Sequence, residues 1–294
     1  MITIEEQVRL ARFTTIGTGG PARWFVRPHS VEGLVEALAW ARERRAEVAV
    51  LGLGSNLLVA DAGFDGLALR LGGDLATVEV DGTRLTAGGG ASLAVCLHRA
   101  RAAGLGGIEF ACAIPGTVGG AVWMNAGAYG SDLAAVLARA QVAEAGGARW
   151  LTPDELGLRY RRSALERGQV VAAAELELTP RPETEIRAIV AELQATRKAA
   201  QPTNRRTFGS VFKNPEHELT AGRMLEACGL RGHRLGGAQI SPRHANFVEN
   251  AGEATTADIL ALIAEARRRA KAQFGVVLEP EVQLLGPIAI PPCD

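Results

Sequence analysis

The chain has 294 residues, enough for two or three domains with cores of their own. Its 32 Lys and Arg balance 32 Asp and Glu, so net charge gives no reason to expect nucleic acid or an anionic membrane as partner. Four cysteines without CxxC spacing and five histidines without HxH or HExxH spacing lack the usual zinc and dithiol signatures, and no metal site is expected. The cysteines sit in apolar settings, and MITIEEQVRL has acids where a secretory leader needs a basic region, so a reduced, cytoplasmic protein is expected. Only three of the 32 cations are lysines, Lys198, Lys213 and Lys271, so a lysine inside a motif stands out from background.

In chain order, a glycine-rich turn over 17–21 precedes a short strand over 22–26. Ser30 caps a helix whose apolar residues Val31, Leu34, Val35 and Leu38 recur at i, i+3, i+4 and i+7. A strand over 48–51 runs into Gly52, Leu53, Gly54, Ser55, Asn56 and Leu57. A dinucleotide fingerprint would place a third Gly or Ala at Leu57 and then a helix. Here a turn over 61–66 and a second strand over 67–71 follow, so the context is strand–loop–strand. The loop reads as an anion cradle, with Gly52 and Gly54 opening the backbone and Ser55 and Asn56 supplying side-chain hydrogen bonds. Short strands follow over 77–80 and 85–87, and Ser92 caps a helix ending at Gly104.

The stretch FACAIPGTVGGAVWMNAGAYG, residues 110–130, carries no charge. It fails as a membrane span, because Pro115, five glycines and Asn125 interrupt it. It reads instead as a backbone-exposing loop in which Ile114, Pro115, Gly116, Thr117, Gly119 and Gly120 form a phosphate cradle for a large, flat, partly apolar ligand. Strands over 136–143 and 148–151 form a hairpin around Gly146-Gly147, and 170–178 is a buried strand. Pro180 and Pro182 mark a boundary, followed by a helix from Thr184 that ends before Pro202. Residues 204–208 read as polar turn, and GSVFKNP (209–215) comes next. A short helix spans 220–228, and a long one starts near Thr255 with Asp258 completing a capping box. The terminal strand, 276–285, carries Glu279 and Glu281 on one face if it stays regular across Pro280.

Six phrases, in order, resemble the UDP-N-acetylenolpyruvoylglucosamine reductases, the MurB family: FTTIGTGGPA (13–22), LGLGSNLLV (51–59), IPGTVGGAVWMNAGAYG (114–130), YRRS (160–163), GSVFKNP (209–215) and LEPEVQLLG (278–286). Each is weak alone, but six in sequence over nearly the full chain is specific. The resemblance implies an α+β fold. A vanillyl-alcohol-oxidase/PCMH-type FAD-binding domain spans 1–182 in two lobes of about 1–66 and 67–182, with the last strand, 282–294, a candidate to return to the first lobe. A smaller α+β domain over 183–281 binds the UDP-sugar.

The implied activity is NADPH-dependent reduction of an enolpyruvyl ether to UDP-N-acetylmuramate through noncovalently bound FAD, in peptidoglycan precursor synthesis. By resemblance the loops 52–57 and 114–120 hold FAD, Ser210 delivers the proton to carbon, Arg161 faces the substrate carboxylate, and Glu281 orients or proton-balances the enol-like intermediate. Tyr160, Lys198, Lys213 and Asn214 are substrate-binding candidates. No metal, membrane or nucleic-acid partner is implied, and a monomer is expected. Two departures stand out. Ala113 replaces the family's usual Gly, which puts one FAD contact in doubt. No long insertion between Tyr160 and Ser210 supplies a mobile tyrosine loop, which matches the subtype without one. A flavin oxidase of alcohols would share the first domain but not GSVFKNP or EPEV; a noncatalytic UDP-sugar-binding protein would be colourless.

Overall fold

In the computed structural model, which describes residues 2–293, the helix predicted from Ser30 forms as α1, Val31–Glu43, with the Ser30 hydroxyl accepting from Gly33 N at 3.2 Å. The chain divides into two compact units. The first comprises Met1–Glu6, Trp24–Leu53 and Gly66–Arg197; the second comprises Gln7–Arg23, Gly54–Asp65 and Lys198–Asp294.

The first unit is built on a five-stranded antiparallel sheet in the order Gly147–Leu151, Leu137–Glu144, Val170–Glu177, Arg84–Gly88, Val78–Asp81. The central strand sends Val171, Ala174 and Leu176 into one core, shared with α2 (Leu93–Ala102) and α3 (Val118–Met124). Val170 and Ala172 enter a second core against α1. Burial on both faces explains why this strand reads as an unbroken apolar run rather than an alternating one. The short α4, Pro153–Leu156, is closed by a capping box between Thr152 and Glu155. Glu183–Ala200 forms α5, which starts just after the boundary expected at 182, while the first unit continues along it to Arg197.

The second unit holds a four-stranded antiparallel sheet ordered Thr207–Ser210, Phe247–Asn250, Ala238–Ile240, Arg234–Leu235. Helices α6 (Ala221–Ala227) and α7 (Thr256–Phe274) contribute to its core, where Met224, Ile259, Leu262 and Ile263 meet Phe208 and Phe212. Ile16 and Leu58 join this core from far upstream. Asp61 accepts from the N–H of Thr256 at 2.9 Å and of Ala257 at 3.2 Å, placing a carboxylate on the positive end of α7. The strand Gln283–Leu285 pairs in parallel with Leu57–Val59.

Three expectations need correction. The terminal strand is confined to Gln283–Leu285, so Glu279 and Glu281 do not share a regular strand face. Pro280, with no N–H and a fixed φ, makes only an isolated bridge to Phe212. The stretch 204–208, read as polar turn, contributes to the strand Thr207–Ser210, and the strands between 234 and 250 had no periodic signal because each is two to four residues long. Finally, the glycine-rich stretch is not all loop, since 3₁₀ turn Glu109–Ala113 and α3 lie inside it. Among the described residues no helix is long and apolar enough to cross a membrane.

Candidate functional site

In the first unit the two glycine loops meet. A Cβ on Gly52 would lie 2.7 Å from Thr117 Oγ1, so only glycine permits this approach. Thr117 faces Ser92 in an isolated bridge, closed by Leu93 N donating to Gly116 O at 3.0 Å and Val118 N donating to Ala91 O at 2.9 Å. No described residue accepts a hydrogen bond from the N–H groups of Gly52, Leu53, Gly116 or Thr117. Four main-chain donors therefore belong to two loops held in contact.

Gly119 and Gly120 behave differently from expectation. Gly119 N donates to Gly89 O at 2.8 Å, and Gly120 N donates to Thr117 Oγ1 at 3.4 Å, so both donors are spent in starting α3. The Thr117 hydroxyl accepts as a helix cap, with its own O–H still a donor. Ile114 packs beside the first core, and its N–H bonds Ala111 O. Pro115 brings no donor. Ala113 closes the 3₁₀ turn without a positive φ, so its Cβ meets no backbone conflict there.

The YRRS phrase, in the same unit, forms a tight turn. Arg159 and Arg162 exchange backbone hydrogen bonds of 2.9 and 3.1 Å, leaving Tyr160 and Arg161 at the tip. Tyr160 is 54% exposed and so is not a core residue. Arg161 has φ +54°, its guanidinium lies 4.9 Å from the Tyr160 ring centroid, and its Nη2 donates to Gly127 O at 2.6 Å. Sequence reasoning did not single out Asn125, whose buried side chain bonds this turn; its only signal was an amide inside an apolar, glycine-rich stretch.

In the second unit, Ser210 ends a strand and is half-buried, and its hydroxyl makes no hydrogen bond to a described residue. The neighbouring Val211 O accepts from Glu281 N at 2.8 Å, so the serine and the glutamate are brought to adjacent segments although 71 positions separate them in sequence. Asn56 reinforces this, with its Nδ2 donating to Glu281 O at 3.1 Å and its carbonyl accepting from Gln283 N at 3.0 Å. One of its two amide N–H groups is thus directed at the chain. A Cβ on Gly209 would sit 3.5 Å from Ser55 O, which puts Ser55 beside the GSVFKNP segment. Leu57 is committed to the parallel pair with Gln283.

Lys213 Nζ donates to Glu279 Oε1 at 2.6 Å, so Glu279 is a lysine partner set apart from Glu281. Asn214 Oδ1 accepts from Ala221 N at 3.2 Å at the start of α6, leaving its amide N–H groups for other contacts. Lys198 is exposed, and Arg243 holds its carbonyl and that of Ala199 at the end of α5. Burial pushes the Cys96 thiol up to about 12 and also raises Cys112 and Cys228, so none of these is a ready thiolate. Among the described residues no group of three or more His, Cys, Asp or Glu is placed to hold a metal ion.

Comparison with known proteins finds named relatives over nearly the whole chain. A family model described as "FAD binding domain" matches residues 22–151, and one described as "UDP-N-acetylenolpyruvoylglucosamine reductase, C-terminal domain" matches 201–285. A UDP-N-acetylenolpyruvoylglucosamine reductase of Anaeromyxobacter dehalogenans is 46% identical over 277 residues, covering 94% of this chain and 84% of its own length. The protein named UDP-N-acetylenolpyruvoylglucosamine reductase 2 of Symbiobacterium thermophilum is 43% identical over 279 residues, covering 94% and 90% respectively. The crystal structure of UDP-N-acetylenolpyruvylglucosamine reductase (MurB) from Thermus caldophilus superposes with a TM-score of 0.85 at 38% identity, covering 97% of this chain and all of that one.

Proposed function

We infer, from the premise that this chain belongs to the UDP-N-acetylenolpyruvoylglucosamine reductase family, that it is an FAD-dependent oxidoreductase reducing the enolpyruvyl ether of UDP-N-acetylglucosamine-enolpyruvate to UDP-N-acetylmuramate with NADPH. The observation that carries this reading is the 2.8 Å bond from Glu281 N to Val211 O, which joins the backbone of Glu281 to the residue next to Ser210 in a chain 46% identical to a named reductase.

The residues present fit an FAD. Gly52 and Leu53 face Gly116 and Thr117 with main-chain donors that no described residue uses, which suits a pyrophosphate. Gly54, Ser55, Asn56 and Leu57 continue the first loop; Ile114 and Pro115 give the second an apolar lead-in for a flat ring; and Gly119 and Gly120 let the second loop turn into α3. When bound, FAD supplies hydride exchange between NADPH and the substrate's vinyl carbon.

The chain's own groups then manage charge. Hydride arriving at the terminal carbon pushes charge toward the neighbouring carbon and its carboxylate. Arg161 offers a planar fork to that carboxylate. Ser210 gives its hydroxyl proton to the carbanionic carbon, and Glu281 balances the proton load beside it. Tyr160, Lys198, Lys213 and Asn214 contact the nucleotide sugar. In domain terms, 1–182 is the FAD-binding part and 183–281 the UDP-sugar part. The protein works as a cytoplasmic monomer on small molecules, without a nucleic-acid partner.

The test is anaerobic. Purified protein is expected to be yellow, to bleach with NADPH, and to recover its colour when the enolpyruvyl nucleotide sugar is added. A colourless protein that binds UDP-sugar points to a noncatalytic binder, and recovery only with oxygen or an alcohol-derived product points to an oxidase. Arg161→Lys is expected to lower turnover by ~10-fold or more while flavin content stays at the parent's level, since a point charge cannot reproduce a bidentate fork. Lost FAD with unchanged turnover per bound flavin removes Arg161 from the substrate.

A further inference from the structure

The Tyr160–Arg161 tip needs a fixed base, because Arg161 adopts the left-handed conformation at φ +54° and sits on a surface turn. Three side-chain bonds supply that base, all from alternate residues of one segment. Ser163 Oγ donates to Trp123 O at 2.8 Å, Asn125 Nδ2 donates to Arg159 O at 3.2 Å, and Arg161 Nη2 donates to Gly127 O at 2.6 Å. Asn125 is the middle grip and the best anchored. It is 3% exposed, caps the end of α3 in the left-handed conformation at φ +38°, and uses both ends of its amide. Besides Arg159 O, its Nδ2 reaches Asp132 Oδ2 at 3.0 Å, and its Oδ1 accepts from Ala134 N at 3.0 Å. Asp132 in turn pairs with Gly127, the residue whose carbonyl holds Arg161.

We propose that Asn125 is a positioning residue for Arg161: one buried amide fixes both the base of the arginine's turn and, through Asp132, the strand whose carbonyl orients its guanidinium. This rests on the reading that Arg161 meets the substrate carboxylate. Such support matters because a reacting group displaced by an ångström loses much of its effect.

Asn125→Gly keeps the left-handed backbone and deletes the amide. Asn125→Asp keeps size and backbone preference but turns a donor toward Arg159 O and Asp132 into an acceptor. In the flavin-loaded protein, both are expected to slow flavin reoxidation by the enolpyruvyl sugar by ~10-fold or more per bound flavin, the scale of lost outer-layer support. Reduction by NADPH and flavin content should stay at parental levels. Hydrogen exchange of the 159–163 peptide, measured without substrate, should quicken in both. Asp132→Ala, which leaves Asn125 in place but removes one of its three side-chain bonds and the link to the strand of Gly127, should give the same pattern and serves if the Asn125 variants do not fold. Parental reoxidation in these variants alongside a slowed Arg161→Lys overturns the positioning role alone. Parental reoxidation in Arg161→Lys as well overturns the reading of Arg161 beneath it. Lower thermal stability with unchanged reoxidation per flavin reduces Asn125 to a structural cap.

Discussion

Ser210→Ala is expected to leave flavin reduction by NADPH at the parental rate and to slow reoxidation by the enolpyruvyl sugar by roughly two to four orders of magnitude, the range for a lost general acid. The split follows from where the hydroxyl acts. A proton to carbon is needed only in the second half of the cycle, after hydride has left the cofactor. The structure makes the variant a clean probe. Ser210 is half-buried, its hydroxyl bonds no described residue, and its backbone pairs with Phe247 through the main chain alone. Stability should therefore change by less than about 0.5 kcal/mol, as for substitutions that break no described contact. Stopped-flow reoxidation and a urea titration on the same preparation check both halves. Parental reoxidation would place the proton donor elsewhere, with Glu281 the next group along the same bonded segments.

Gly54→Ala is expected to be the most damaging single-methyl change in the glycine loops. Gly54 sits at φ +67°, where a Cβ costs about 1–2 kcal/mol. That Cβ would also land 1.9 Å from Phe13 O and 2.8 Å from Thr14 Cα, both backbone atoms. The loop has little freedom to relax. Gly54 O accepts from Thr15 N and from Thr15 Oγ1, each at 3.1 Å, and Thr15 Oγ1 also bonds Thr207 O at 2.6 Å. Moving 13–15 aside breaks that set, and overpacking of this kind adds about 1–3 kcal/mol. A total loss of ~2–5 kcal/mol, with reduced flavin retention, should appear in denaturation midpoints and in flavin absorbance. Gly146→Ala is the control, since a Cβ there meets nothing within 4 Å and φ is not positive. Equal midpoints for the two variants would refute the clash.

Local chemistry was legible from the residues alone. Ser30, Ser92 and Thr255 cap the helices they were read to cap, and Thr255 forms the capping box with Asp258. Such contacts close within three or four residues, so spacing in the sequence is spacing in space. The glycine loops and the strand–loop–strand context were equally visible, because glycine runs and apolar runs declare themselves one after another. The cradle's true donors were not. Gly119 and Gly120 looked like anion ligands, yet Gly89 O and Thr117 Oγ1 take their N–H groups, and only the fold reveals who competes for a donor.

The same holds for the groups proposed to do chemistry. Resemblance named Ser210 and Glu281, but nothing in the run of residues says that Val211 O would take Glu281 N, or that Asn56, 225 positions away, would pin the same glutamate. The strands that bring these segments together are three or four residues long, too short to show a period. Residue identity thus determined which turns, caps and cradles were possible and which family the chain resembles. Tertiary structure alone decided which donors stayed free and which distant side chains met, because those outcomes depend on competition among partners that only folding brings within hydrogen-bonding distance.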